Sequence, residues 1–565
     1  MISLLIRHDD ANKAFSCNRI ALIDVLTLLL LACLTISSLI NDTIESPGFY
    51  RVMKWGLIFF IFRISLSTFS KVTKTTILFI VISYFLSELF LGWKQIITGT
   101  YSHNPELFCS GSFLNSGPYG GFISVGICML LAYLLLSDSI GDKHRKFLII
   151  ATLPAMIILV LSMSRAAIVS FLISMSFLLL KHKRQWFIKH QFILLPLLIV
   201  LLIFMYFYKK PSADARYYIN SINIEAIKQK PLWGNGFNSF GKVYGNKQRE
   251  HFVDALLDKE KSIDKKISDT DIVHKLIEGN LSFSDTIEKD REKADVPDVA
   301  FNEYFQVAIE HGIIVALLFV IIIIISIIRL YKNDSPWAYA LISLSCFALF
   351  SYPFSYIQFK LLLLFGVAHA STICYSEKSN NKVASTAFLV ALLTAVYFIH
   401  PLTNSDLSSK KKWEREVKKL YWLGDYDSYV IESGPLFKDL GYNTEFLYMY
   451  GNALKQTGDL RQSDSVFAIG TGLSNHPKFN TALGLIKQQN NDFGSAEEYY
   501  CRAYLMVPNR LYPLYLLAKL YYETGNYDYY KHIVKYIDKY PPKLENKDTY
   551  TMRKEIEEMN SLITD

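Results

Sequence analysis

Apolar runs of about 20 residues follow one another from residue 20 to residue 400, and this succession limits the possible folds more than any other property of the chain. A run of that length crosses a bilayer as a helix, which satisfies its own backbone N–H and C=O groups where no water can. Runs near 20–40, 52–69, 74–93, 118–137, 146–163, 165–181, 190–208, 311–329, 336–354, 357–375 and 384–400 predict about eleven spans. The predicted fold class is all-α, a polytopic transmembrane helical bundle. The first run follows Arg7, Lys13 and Arg19 as a signal sequence would. It is long for one and lacks a small-x-small cleavage site, so it reads as a retained helix.

Loop charge orients the spans. With a cytoplasmic N-terminus, the inside segments hold sixteen Lys/Arg, and the short outside loops hold only Arg51, Lys54, Lys94 and Arg165. This bias has the positive-inside sense. It sends the long loop 209–310 and the chain after residue 403 outside. Four charges fall within predicted spans: Asp24, Arg63, Glu88 and Lys360. Lys360 and Glu88 lie near span ends, where a long side chain can reach the interface, whereas Arg63 is deep enough to need a partner in the bundle.

Charged residues make up 19% of the chain, too many for spans alone. The polar excess lies after the last apolar run, dividing the chain into a membrane domain, 1–403, and a soluble domain, 404–565. The net charge of +8 is explained by basic cytoplasmic loops and calls for no nucleic acid. Seven scattered cysteines write neither a disulfide framework nor a CxxC metal site. No metal or cofactor is expected.

The soluble domain repeats itself. Gly424-Asp425-Tyr426, Gly458-Asp459-Leu460, Asn491-Asp492-Phe493 and Gly525-Asn526-Tyr527 recur at separations of 34, 33 and 34 residues. That period, with an amphipathic helix after each polar turn, predicts an α-solenoid of helical hairpins. It resembles tetratricopeptide repeats, which place a small residue five positions after the turn glycine. Ala496 and Ser463 follow that rule, whereas Tyr429 and Tyr530 depart from it. Such stacks commonly bind protein or peptide.

Four patches sit on the outer side of the membrane domain. Gly111 to Gly121 opens the fourth span with small residues that allow close backbone approach. Ser162-Met163-Ser164-Arg165 is the tight turn between the fifth and sixth spans, and its arginine lies at the membrane surface. The long loop contains Asp214-Ala215-Arg216-Tyr217, which begins a helix-like stretch, and then Lys230-Pro231-Leu232-Trp233-Gly234-Asn235-Gly236. It closes with Ala300 to Gly312. The loop is not a basic patch, since from Lys209 to Ala300 sixteen Lys/Arg face sixteen Asp/Glu.

In this order the patches resemble the O-antigen ligase superfamily, which includes bacterial O-oligosaccharyltransferases and is related to O-antigen polymerases. The likeness covers about residues 105–330: a G-x-F-x-N segment, a Ser-Arg turn, a loop arginine, a P-L-x-G-x-G segment and a closing element. It implies metal-independent transfer of a preassembled glycan from an undecaprenyl diphosphate carrier to an acceptor hydroxyl, on lipid A core or a protein Ser/Thr. A growing polysaccharide end is the alternative acceptor. The carrier implies a bacterial inner membrane, with the repeat domain in the periplasm. A transporter of lipid-linked sugars is the rival from another class, but neither repeated halves nor paired broken spans are evident.

The resemblance gives Arg165 and Arg216 the role of holding the diphosphate, since guanidinium groups match its oxygens in bidentate geometry. Gly234 and Gly236 are candidates to approach the same group through the backbone, although they also suit a turn. Relatives carry His before Asn in the closing element, where this chain has Phe301. Asn302 and Glu303 remain as catalytic candidates, with Glu303 as substitute base ahead of His311 and Asp298. His251 and His274 read as bystanders in charged runs.

Overall fold

A computed structural model describes residues 21–68, 71–99, 109–113, 115–137, 141–208, 210–257, 267–373, 408–474, 476–539 and 546–564, and their regular structure is entirely helical. The apolar runs form α1 (Leu22–Ile40), α2 (Pro47–Thr68), α3 (Lys71–Thr98), α4 (Ser116–Leu136), α5 (Asp142–Leu161), α6 (Arg165–His182) and α7 (Arg184–Tyr208). The long loop contributes α8 (Lys210–Gln229), α9 (Phe240–Leu257), α10 (Asp269–Ile277), α11 (Asp285–Lys293) and α12 (Glu303–His311). Three more apolar helices follow, α13 (Ile313–Lys332), α14 (Pro336–Ala348) and α15 (Ile357–Thr372). The tail forms α16 (Lys418–Trp422), α17 (Tyr426–Ser433), α18 (Thr444–Gln456), α19 (Leu460–Leu473), α20 (Pro477–Gln489), α21 (Phe493–Met506), α22 (Leu511–Glu523), α23 (Tyr527–Lys539) and α24 (Lys547–Thr564).

Among the described residues, five helices are long and apolar enough to cross a membrane: Leu22–Ile40, Ile77–Thr98, Ser116–Leu136, Arg165–His182 and Ile313–Lys332. Pro336–Ala348 and Ile357–Thr372 are shorter apolar helices. The predicted span 384–400 lies outside the described residues. The predicted run 336–354 is not one continuous helix. It stops at Ala348 and gives way to a 3₁₀ turn at Pro353–Ser355, because proline supplies no N–H and biases Tyr352 away from helical geometry.

The chain folds as two units. The first comprises Met1–Lys210, Pro231–Gly236 and Val299–Pro401. At its centre α4 packs against α5, α6 and α14, and 17 of its 21 residues are buried. Serines cement this centre, with Ser124 Oγ lying 3.0 Å from Ser170 Oγ and 2.9 Å from Ser343 Oγ. The three come from α4, α6 and α14, so each hydroxyl finds a partner where lipid offers none. Arg63 has the partner that its depth demanded. Its Nε donates to Asp24 Oδ2 at 3.3 Å and to Ser371 Oγ at 2.8 Å, tying α1, α2 and α15 together through a buried ion pair.

The second unit comprises Pro211–Lys230, Phe237–Asp298 and the described part of the tail. The recurring turns have a common physical cause. Gly424, Gly458, Asn491 and Gly525 adopt left-handed backbone angles with φ of 78°, 90°, 57° and 70° at the ends of helices. The aspartates that follow, Asp425, Asp459 and Asp492, cap the next helix by accepting from Ser428 N, Gln462 N and Ser495 N. Packing repeats as well. A Cβ on Gly451 would meet Phe467 at 2.5 Å, and one on Gly484 would meet Tyr500 at 2.4 Å, so each glycine admits an aromatic ring from the helix that follows. Tyr429 and Tyr530 are fully buried where smaller residues stand in the middle pairs, and their hydroxyls are paired with Trp413 Nε1 and Ile556 O.

Candidate active site

In the first unit the small-residue patch is built onto α3. Gln95 Oε1 accepts from Ser110 N and Gly111 N at 2.9 Å each, and its Nε2 donates to Gly111 O at 2.8 Å. The buried carboxylate of Glu88 accepts from Ser112 N and Ser112 Oγ. Asn115 then caps α4, its Oδ1 accepting from Gly117 N at 2.8 Å. This leaves its Nδ2 to donate to Tyr352 Oη at 3.3 Å.

The Ser-Arg turn is pressed against the start of α4. Met163 reverses the chain at φ 52°, an uncommon conformation for a residue with a side chain. Ser164 Oγ donates to Gly117 O at 3.2 Å. A Cβ on Gly120 would lie 2.3 Å from Ser162 Oγ, so the close approach depends on glycine. Arg165 is the first residue of α6 and is half-buried at this junction.

The segment Pro231–Gly236 is fastened to the end of α12. Asn235 N and Gly236 N donate to Glu310 O at 3.1 and 2.7 Å, and Ile313 N donates to Pro231 O at 2.7 Å. A Cβ on Gly234 would sit 2.5 Å from the Glu310 carbonyl. The glycines thus serve close backbone packing, and the Gly236 amide is already engaged. Ser37 Oγ and Asn41 Nδ2, at the end of α1, both donate to Trp233 O, at 2.7 and 3.2 Å.

The closing element is tightly self-satisfied. Asn302 caps α12, its Oδ1 accepting from Tyr304 N and Phe305 N at 3.0 and 3.2 Å. Gln306 Oε1 accepts from Ala300 N, and its Nε2 donates to Glu310. Phe301 holds a left-handed φ of 52°, which is strained for an aromatic residue, and packs edge-on against Tyr352 at 5.4 Å.

Glu303 is buried behind this strained residue, and its Oε1 accepts from Phe354 N at 2.6 Å. Burial pushes its carboxyl up to about 8, against the opposing pull of the Phe354 amide and the Lys360 ammonium. His311 is equally buried, and burial pushes its imidazole down to about 3.

Among the described residues no group of His, Cys, Asp and Glu is arranged to hold a metal ion. Arg216 belongs to the second unit, on α8, and is half-buried beside the exposed Tyr217. Asp298, also in that unit, is exposed.

Residues 147–258 match the family model described as O-antigen ligase. Over that segment the chain is similar to the O-antigen ligase family. No curated protein sequence matches it. That similarity and the five apolar helices long enough to cross a membrane point to a multi-pass membrane protein of ligase or polymerase type. The ligase match spans the Ser-Arg turn, the loop arginine and the glycine segment.

The first unit brings together patches far apart in sequence: 109–121, 162–165, 300–306 and the turn at 352–356. Sequence reasoning overlooked Gln95 and Tyr352, and gave Glu88 only a place near its helix end. The signals were a carboxylate among apolar residues and a proline interrupting an apolar run. The Lys360 ammonium lies over the Trp55 ring at 5.4 Å and within electrostatic range of Glu303.

Proposed function

We propose that the chain is a glycosyltransferase that moves a preassembled glycan from an undecaprenyl diphosphate carrier to an acceptor hydroxyl, on lipid A core or a protein serine or threonine. One observation carries this reading: the O-antigen ligase match contains both Arg165 and Arg216. The leaving group is a diphosphate, and a guanidinium stabilises its growing charge without ever losing its own proton. Arg165 and Arg216 take that role. Gly234 and Gly236 shape the root of the loop rather than grip phosphate.

Glu303 is the candidate base for the acceptor hydroxyl, and Asn302 holds the helix that presents it. A carboxyl poised near 8 is a stronger base than an ordinary one once ionised. Loop charge supports about eleven spans in the inner membrane with a periplasmic tail. The 33–34-residue period and the capped, paired helices support a tetratricopeptide-like stack.

The test of function is a clean deletion. Loss of lipopolysaccharide O-chain or of a glycoprotein, with build-up of lipid-linked donor, is the expected phenotype. Loss of long polymer alone would make the chain a polymerase, and donor trapped on the cytoplasmic side would make it a transporter. Topology is checked by fusing alkaline phosphatase after residue 565, which is active if the tail is periplasmic.

A further inference from the structure

In the second unit the long loop lies on the repeats. Helix α9 packs on α19 and α21, and α10 packs on α21 and α23, which are the second helices of three successive pairs. Phe240, Val243, Tyr244, Phe252 and Leu256 of α9 and Ile272, Val273, Leu276 and Ile277 of α10 are buried.

Its polar contacts are specific and mostly buried. Gln248, 1% exposed, donates through Nε2 to Met506 O at 2.8 Å and to Asp295 O at 3.1 Å. Asn509 donates through Nδ2 to Arg291 O at 2.7 Å and to Ala294 O at 2.8 Å. Arg291 Nη1 donates to Pro508 O at 3.1 Å. His274 Nε2 lies 2.7 Å from Glu497 and 3.0 Å from Tyr521 Oη while its ring stacks on Tyr529.

We propose that the repeat stack is an internal receptor for the enzyme's own loop, with Gln248 and Asn509 as positioning residues that hold α9 and, through the Tyr218 ring packed on His251 and Phe252, α8 and its Arg216 ready for the donor diphosphate. The partner of the second-helix face is thus formed by α9, α10 and α11 of the same chain, and an acceptor protein must be met elsewhere. The physical reason is entropic. A loop of this length on its own would have to be ordered each time donor binds, and docking it beforehand removes that cost from the binding step. Side-chain amides given to buried backbone carbonyls fix the register, because leaving such carbonyls unpaired is unfavourable.

The inference rests on the role proposed for Arg216, so the test has two separate readouts on the full-length chain. Cys501 is fully buried on α21 and lies against Thr270 and Asp269 of α10, so its thiol reports docking without reference to activity. Maleimide labelling at Cys501, mapped by mass spectrometry, should be slow in the wild type. It should be roughly tenfold faster in Gln248→Ala and Asn509→Ala as buried amide–carbonyl bonds are lost.

Retained trypsin resistance of residues 444–539 shows that the repeats themselves still fold. In the same variants the KM for lipid-linked donor should rise about tenfold with kcat nearly unchanged, as for the loss of uniform binding. Unchanged Cys501 protection in both variants would overturn the docking. Faster labelling with an unchanged donor KM would overturn the positioning role. If Arg216→Lys also leaves donor KM and kcat at wild-type values, the failure belongs to the reading of Arg216, and the labelling result alone decides whether the repeats are the loop's receptor.

Discussion

The carboxylate of Glu88 accepts two hydrogen bonds from one residue, Ser112, through its amide at 2.9 Å and its hydroxyl at 2.5 Å. A single acidic side chain on α3 thereby fixes the segment that leads into the most buried helix of the bundle. Replacing Glu88 by alanine removes both bonds, although the donors of the exposed Ser112 can then turn to water. At about 1.5–3 kcal/mol for a hydrogen bond to a charged group, the thermal midpoint in detergent should fall. Glu88→Gln should fall less, since one amide oxygen still accepts. Equal midpoints for wild type and Glu88→Ala would show that Ser112 finds another partner.

Gly120→Ala should disturb the Ser-Arg turn directly, because the new methyl would meet Ser162 Oγ at 2.3 Å and Ser164 Cβ at 2.8 Å. Overpacking of this kind costs about 1–3 kcal/mol. Adding Ser162→Gly removes the nearer clash but not the other, so the double variant should recover part of the stability. A double-mutant cycle on thermal unfolding measures that coupling.

Arg165→Lys and Arg216→Lys should each lose most transfer activity at unchanged protein level, since lysine keeps the charge but not the planar fork. Lipid-linked donor should build up in such cells. Wild-type product from either variant removes that arginine from the proposed site.

Glu303 gives a pH dependence whose sign follows from its raised carboxyl. The folded state holds the proton up to about 8, whereas an unfolded chain releases it near the ordinary glutamate value. This contribution to stability is fully present below that ordinary value and is lost as pH rises through about 8. Glu303→Gln, which is always neutral, should therefore flatten the pH profile of thermal unfolding between pH 5 and 9. If Glu303 is also the base, the variant loses about a hundredfold to ten-thousandfold in single-turnover transfer. Near-normal turnover with a flattened stability profile would leave it a purely structural carboxyl.

Much of the helical layout was legible because membrane helices and capped repeats are local phenomena. An apolar run needs only its own backbone, and Gly458 followed by Asp459 ends one helix and starts the next within two residues. The site was legible only as fragments. The Ser-Arg turn was apparent, but the joining of Asn115 to Tyr352 across 237 positions depends on side chains without local pattern. The break after Ala348 needed Pro353 to be weighed against a long apolar run. Gly234 and Gly236 suit a turn or an anion-binding backbone from sequence alone, and the Glu310 carbonyl that meets this segment lies too far along the chain to leave a local pattern.

The carbonyl of Trp233 sets an order of assembly. Ser37 and Asn41 belong to the first described helix, yet the group that satisfies them lies 196 and 192 residues later. During synthesis, at about 5–20 residues per second, those two side chains wait on the order of ten seconds or longer for their partner to emerge. Until then the Asn41 amide still has the Ser37 carbonyl at 2.9 Å, but the corner that Trp233 closes is incomplete. Completion of this corner is a late checkpoint, and a chain truncated before residue 233 should be recognised by quality control as unfinished, however well its earlier helices have inserted.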